Sequence, residues 1–254
     1  MRTRLTIMAI VLTAAAATIG GVVLLVSMLG WLGLAIGALG TITVLGAYRL
    51  WIQPWQHRWG ATDEELRRAR PGDDLLPDAA STTRAITIAA PPEQVWPWLA
   101  QLGYGRGGWY SYDWIDNDGQ PSADRILPEL QQLQLGDRIL MAPGMGPRVR
   151  EVESNRYFLA GDREAGVWCL ALCPTASGCR LVSRWRVDWP LTPATAFWIL
   201  LSDPGAFIME HKMLKGIRFR AEATVQDRKR RLLPSGGEPH MYSPPLMSKI
   251  SPVM

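Results

Sequence analysis

The stretch Cys179-Arg180-Leu181-Val182-Ser183-Arg184-Trp185-Arg186-Val187-Asp188-Trp189 alternates with a period of two. Leu181, Ser183, Trp185, Val187 and Trp189 fall on one face, and Arg180, Arg184, Arg186 and Asp188 on the other. This is the pattern of a half-buried antiparallel strand. Upstream of it, turn residues divide the chain into further strands at 137–142, 147–153, 156–161 and 166–173. Downstream, a long helical segment runs from Thr195 to Val225, interrupted at Asp203-Pro204-Gly205. Before the strands lie a strand at Arg84–Ala90 and a helix opened by Pro91-Pro92-Glu93, with Val95, Trp96, Leu99 and Leu102 as its apolar face. A Gly- and aromatic-rich loop, Gly103–Asn117, and a short helix around 125–133 complete the set. The last helix must cover the apolar face of the sheet, which defines an α+β domain. A twisted sheet closed over a helix is a natural site for an apolar ligand.

The N-terminus has another character. No residue from Leu5 to Tyr48 is charged, a run about twice the ~20 residues needed to cross a bilayer once. Ser27-Met28-Leu29-Gly30 is the natural turn, so the reading is a transmembrane hairpin over 1–59, with helices at about 6–28 and 31–52. Arg2 and Arg4 precede it, and Arg49, Arg58, Arg67, Arg68 and Arg70 follow, while the turn carries no positive charge. The positive-inside rule then puts the N-terminus and the soluble domain on the cytoplasmic side of the cell (inner) membrane. Tyr48, Trp51, Trp55 and Trp59 form an aromatic belt at that boundary. The competing reading, a signal peptide cleaved near Ala14–Ala17, conflicts with an apolar run that continues well past this point. Residues 60–82 read as a linker, starting with the capping box Thr62-Asp63-Glu64-Glu65 and ending in an acidic connector. Residues 227–254 read as a disordered basic and Pro-rich tail, whose Arg228-Lys229-Arg230-Arg231 suits anionic headgroups or simple solvation.

Thr83-Arg84-Ala85-Ile86-Thr87-Ile88, followed by Ala90-Pro91-Pro92-Glu93-Gln94-Val95-Trp96-Pro97-Trp98-Leu99, resembles the START-related helix-grip superfamily, polyketide cyclase/dehydrase-like (SRPBCC) branch. Gly107–Asp113 and Met209–Ile217 look like the corresponding stretches of its membrane-anchored bacterial members. The resemblance covers residues 83–226. It implies a helix-grip domain, a curved antiparallel sheet wrapped on the C-terminal helix with a hydrophobic pocket between them. It does not imply one reaction, because such proteins include binders, lipid carriers and enzymes.

At 100° per residue, Phe207, Met209, Met213, Leu214, Ile217 and Ala221 share one face of the last helix. Glu210 lies within that apolar arc and must be paired, hydrogen-bonded or protonated. It is either a structural partner of a buried arginine, such as Arg106 or Arg148, or a group that orients a ligand or exchanges a proton. Trp109, Tyr110, Tyr112 and Trp114 suit a pocket mouth, a membrane-facing surface or a core plug. The candidate ligand-binding set is therefore Trp109, Tyr110, Tyr112, Trp185, Phe207, Glu210, Met213, Leu214 and Ile217. Glu210, Tyr110 and Tyr112 are the catalytic candidates.

Gly103–Gly108 satisfies G-x-G-x-x-G, but a helix precedes it and aromatics follow, which excludes a dinucleotide fold. Asp113 and Asp116-Asn117-Asp118 lack EF-hand spacing and read as a turn. Cys169, Cys173 and Cys179 form neither a disulfide framework nor a metal set. No cofactor or metal is expected. A net charge of +4 without a basic stripe argues against nucleic acid as a partner. The expected partners are the lipid bilayer and a hydrophobic small molecule or lipid. The sequence-level reading is a membrane-tethered binding protein for such a ligand. Its alternatives are a cyclase/dehydratase-type lyase or isomerase, and a regulatory or scaffolding module without ligand. Oligomeric state is open.

Overall fold

The structure, a computed structural model, describes residues 2–190 and 192–232. Two helices come first, α1 (Arg2–Leu29) and α2 (Trp31–Ala47), joined at Gly30. They pack closely where Gly33 meets Leu25, since a Cβ on Gly33 would lie 2.0 Å from the Leu25 carbonyl oxygen. A π-helical turn at Tyr48–Ile52 carries α2 into α3 (Gln53–His57). By length and composition, Trp31–His57 is a helix able to cross a membrane; the apolar part of α1 is the shorter Ala16–Leu29. The sequence reading of two full spans thus finds one candidate of sufficient length among the described residues.

The capping box forms as expected at α4 (Asp63–Arg67): Thr62 N–H donates to Glu65 Oε2 at 2.8 Å, and Glu65 N–H to Thr62 Oγ1 at 3.2 Å. Then follow β1 (Ala80–Ile88), α5 (Pro92–Ala100), α6 (Asp113–Asp116), a 3₁₀ turn at Pro128–Leu130, β2 (Val149–Glu153), β3 (Tyr157–Asp162), β4 (Gly166–Thr175), β5 (Gly178–Val187) and α7 (Pro193–Leu232). The strands form one antiparallel sheet in the order β1-β5-β4-β3-β2, with α7 packed on β1 and α5. The domain is α+β, as the element order requires.

Three details differ from the sequence reading. Residues 137–142 make only isolated bridges to 145 and 148, because Pro143 and Pro147 lack donors for a regular ladder. The helix expected at 125–133 shrinks to one 3₁₀ turn that opens at Pro128. And α7 passes through Asp203-Pro204-Gly205 unbroken. Pro204 forgoes one intrahelical hydrogen bond, while Asp203 is fixed by three side chains from the π-turn and α3 (below). Helix also continues through Leu232, so Arg228–Arg231 are helical; residues 233–254, the rest of the expected disordered tail, lie outside the described residues.

The arginine face of β5 is not solvated. Residues 60–79, read as a linker, lie across the back of the sheet. Arg180 donates to Glu65, while Arg184 and Arg186 both reach Asp73. Beside them Leu76, Leu159, Val167, Cys169 and Ala171 form a small second core. Burial pushes the Cys169 thiol up to about 12, far from the thiolate form that reacts or binds metal. The acidic character of the connector is thus the counter-charge for the sheet.

Candidate functional site

The main core lies between the front of the sheet and the inner faces of α5 and α7. Phe158 and Trp168 meet edge to face at 5.2 Å, and Trp168 and Trp185 stack at 5.1 Å and 8°. Trp109 sits 5.9 Å from Trp168. The Trp168 indole N–H donates to Ser183 Oγ at 2.8 Å, which satisfies the polar edge of a buried ring. Met213, Leu214 and Ile217 are 0–3 % exposed and close the core from α7. Of the candidate ligand-binding residues, Trp109, Tyr110, Trp185, Met213, Leu214 and Ile217 therefore pack in one cluster with the core side chains. They fill the space in which the resemblance implies a pocket.

Tyr110 adopts φ 55°, a left-handed backbone conformation that turns its ring inward against Trp98. Its hydroxyl donates to the Trp98 carbonyl at 3.2 Å, and burial raises its pKa, which removes it from proton transfer near neutrality. The Arg220 guanidinium covers the ring at 4.6 Å. Gly216 lets α7 approach this turn, since a Cβ there would lie 2.2 Å from the Tyr110 carbonyl oxygen. Tyr112 is half-buried, with Lys212 Nζ 6.0 Å from its ring centre.

Glu210 and Phe207 belong elsewhere, to a joint between α3, β1 and α7. Glu210 is ion-paired with Arg84, their side chains being 10 % and 3 % exposed. This is a different arginine from the Arg106 or Arg148 expected. Arg84 Nε also donates to the Gln56 carbonyl at 2.8 Å, and its guanidinium lies over the Phe207 ring at 5.4 Å. One turn earlier on α7, Asp203 accepts from Gln53 Nε2 at 2.8 Å and Tyr48 Oη at 3.3 Å, and contacts His57 Nε2 at 2.7 Å. Desolvation pushes the Asp203 carboxyl up, but the His57 and Gln53 hydrogen bonds outweigh it and hold the pKa below the usual range. No hydrogen bond or ion pair among the described residues joins Glu210 to Tyr110 or Tyr112, so the three catalytic candidates do not converge.

An open groove lies on the outer flank of α7. It has a volume of about 440 Å³ and runs between the 110–113 turn and α7, lined by Tyr110, Ser111, Asp113, Lys212, Lys215, Phe219 and Arg220. Asp113 is held by the Ser122 backbone N–H at 3.0 Å and by the Ser122 hydroxyl. Phe219 is 72 % exposed. Sequence reasoning named Tyr110 here but missed Lys212, Lys215, Phe219 and Arg220.

Next to the groove, Asp116 is 5 % exposed, with the Ser111 hydroxyl and the Asp113 carboxylate nearby. Burial, helped by the Asp113 charge, raises its pKa from 3.8 to about 6. The folded carboxyl therefore stays protonated while the unfolded one ionises between those values. Stability falls as pH rises through this window, and the full cost persists above it. Asp116→Asn is expected to raise stability at about pH 8 by roughly 1–3 kcal/mol and to flatten that slope, measured by urea unfolding from about pH 4 to pH 8.

No family model matches the chain, and no curated protein matches it. Solved structures similar to it include the polyketide-cyclase-like protein Cgl2372 of Corynebacterium glutamicum. That match is at 18% identity and TM-score 0.28, covering 64% of this chain and 99% of that one. Protein SSP2350 of Staphylococcus saprophyticus matches at 10% identity and TM-score 0.35, covering 57% and 93%. The KanY protein matches at 11% identity and TM-score 0.36, covering 57% and 98%.

Proposed function

We propose that this chain is a membrane-tethered, helix-grip binding protein for a small amphiphile or lipid, taken up in the groove beside α7. The groove carries the reading. Its volume falls in the range of small-molecule sites, Phe219 offers apolar surface, and Lys212, Lys215 and Arg220 offer positive charge. That combination suits an apolar body with an anionic head. The tether is Trp31–His57 together with α1, and the flanking arginines favour a cytoplasmic domain at the inner membrane.

The filled core supports a second reading, a regulatory or scaffolding module whose interior is closed by its own side chains. A titration separates the two. Full-length protein in phosphatidylcholine nanodiscs is titrated with a dansyl-labelled undecanoic acid, with hexadecanoate as competitor. Saturable, competed fluorescence is expected, weakened about tenfold by Lys212→Glu with Lys215→Glu, the loss of one charge-assisted contact or more. A folded preparation that shows no saturable binding leaves the module reading.

A further inference from the structure

The first half of α7 carries two apolar faces, and only one is used by the domain. Asp203, Phe207, Glu210, Leu214 and Ile217 share the stripe that meets α3, β1 and the core. At 100° per residue, Phe197, Leu201 and Ile208 fall on the opposite side, with Trp198 beside them. These four are 66, 39, 49 and 56 % exposed. Residues 193–202 contain no charge. Further along the same outer face the character changes to Lys212 and Lys215, both exposed. An apolar stretch that gives way to lysines along one helix face is the signature of a helix entering a leaflet, with its rings and aliphatic groups at the acyl boundary and ammonium groups at the phosphates.

The position of this face says what covers it. Asp203 is bonded to Tyr48, Gln53 and His57, and Phe207 meets Trp55 at 5.3 Å, so the start of α7 is fixed beside the end of the candidate span. There Leu50, Trp51, Ile52 and Trp55 are themselves 47–72 % exposed. The exposed apolar surface of the span and that of α7 flank one polar joint, and α1 lies against α6 on the groove side of the domain.

We infer that the outer face of α7 around Phe197, Trp198, Leu201 and Ile208 is a second membrane contact, seated in the leaflet that holds the end of Trp31–His57, with Lys212 and Lys215 at anionic headgroups. The inference rests on the tethered reading above. It gives the domain two fixed contacts with the bilayer instead of a flexible leash, and it opens the groove towards the headgroup layer.

The test uses the full chain with Cys173→Ser, reconstituted into phosphatidylcholine/phosphatidylglycerol vesicles. An NBD label is placed in turn through Leu201→Cys, Ile208→Cys, Trp51→Cys and Arg163→Cys. Nitroxide on a shallow acyl carbon is expected to quench positions 201, 208 and 51 to similar extents, and aqueous iodide to quench position 163. If 51 is quenched by lipid while 201 and 208 are quenched by iodide, the second contact is wrong and the tether stands. If 201 and 208 are shielded from both quenchers, a second copy of the chain covers the face and the inference falls. If 51 escapes lipid quenching too, the tether itself is wrong. The paired labels at 201 and 208 guard against one variant that fails to fold.

Discussion

Glu210→Ala is expected to destabilise the protein by about 3–5 kcal/mol, the cost of leaving a buried charge without its partner. The stranded group is Arg84, whose side chain is 3 % exposed. Without Glu210 it keeps a hydrogen bond to the Gln56 carbonyl and the face of Phe207, but loses its direct ion-pair partner, and Asp203 acts on it only from a distance. Glu210→Gln retains an acceptor and is expected to lose roughly 1–2 kcal/mol less. Replacing both partners, Arg84→Met with Glu210→Leu, is expected to recover most of the loss, because the pair's attraction is largely offset by its desolvation. Thermal and urea unfolding of the intact protein, Arg84→Met, Glu210→Leu and the double variant gives the coupling directly. Glu210→Gln decides whether Glu210 has any role in binding. A Gln variant that melts earlier but binds the dansyl probe normally marks the carboxylate as structural, whereas lost binding at full stability marks it as a ligand group.

Arg184→Ala is expected to cost a similar 3–5 kcal/mol on the other side of the sheet. Its guanidinium donates to Thr83 Oγ1 at 2.9 Å, Asp73 Oδ2 at 2.6 Å and the carbonyls of Glu65, Leu66 and Arg68 at 2.7–3.0 Å. Truncation removes five bonds from a side chain that is 4 % exposed. Arg184→Lys is not a rescue, since an ammonium has three donors on one nitrogen and cannot reach acceptors spread around the edge of a planar guanidinium. Arg67 and Arg68 already lie at the surface, and the variant should free the backbone around them, so early trypsin cleavage after these two residues, before global unfolding, is the diagnostic. A variant that melts normally and resists trypsin would show that the back layer is held by its apolar contacts instead.

Both predictions mark where the sequence was legible and where it was not. The strands, α5 and the C-terminal helix follow from periodicity, and the Glu210 problem was visible as a carboxylate in an apolar arc. Its partner was visible too, though unread. Arg84 shares the period-two set of Ile86 and Ile88, so a charge pointed into the core from β1 opposite one pointed in from α7. Arg106 and Arg148 serve backbone carbonyls instead. The covered back of the sheet was not legible, because residues 71–79 have no periodicity and their acidity looks like solvation until Asp73 is set against Arg184 and Arg186. Nor does patterning give free volume. Whether a sheet and helix enclose a pocket depends on side-chain size, and here Trp98, Trp109, Phe158 and Trp168 are large enough to close the interior.

The strand order has one more consequence. β1 and β2 are the outermost strands, and an unpaired strand edge is a template for joining another molecule. Neither offers a long regular edge. On β1, Ala85 N–H donates to the Trp59 carbonyl at 3.0 Å, and the next residue beyond the strand, Ala89, donates to Glu222 at 2.9 Å. On β2 the ladder is only five residues long, slips register between Val149 and Glu151, and carries Arg150, Glu151 and Glu153. Bulge, brevity and mixed charge make that rim a poor seed for fibrils, so crowding copies of this domain together should not drive them to share a sheet.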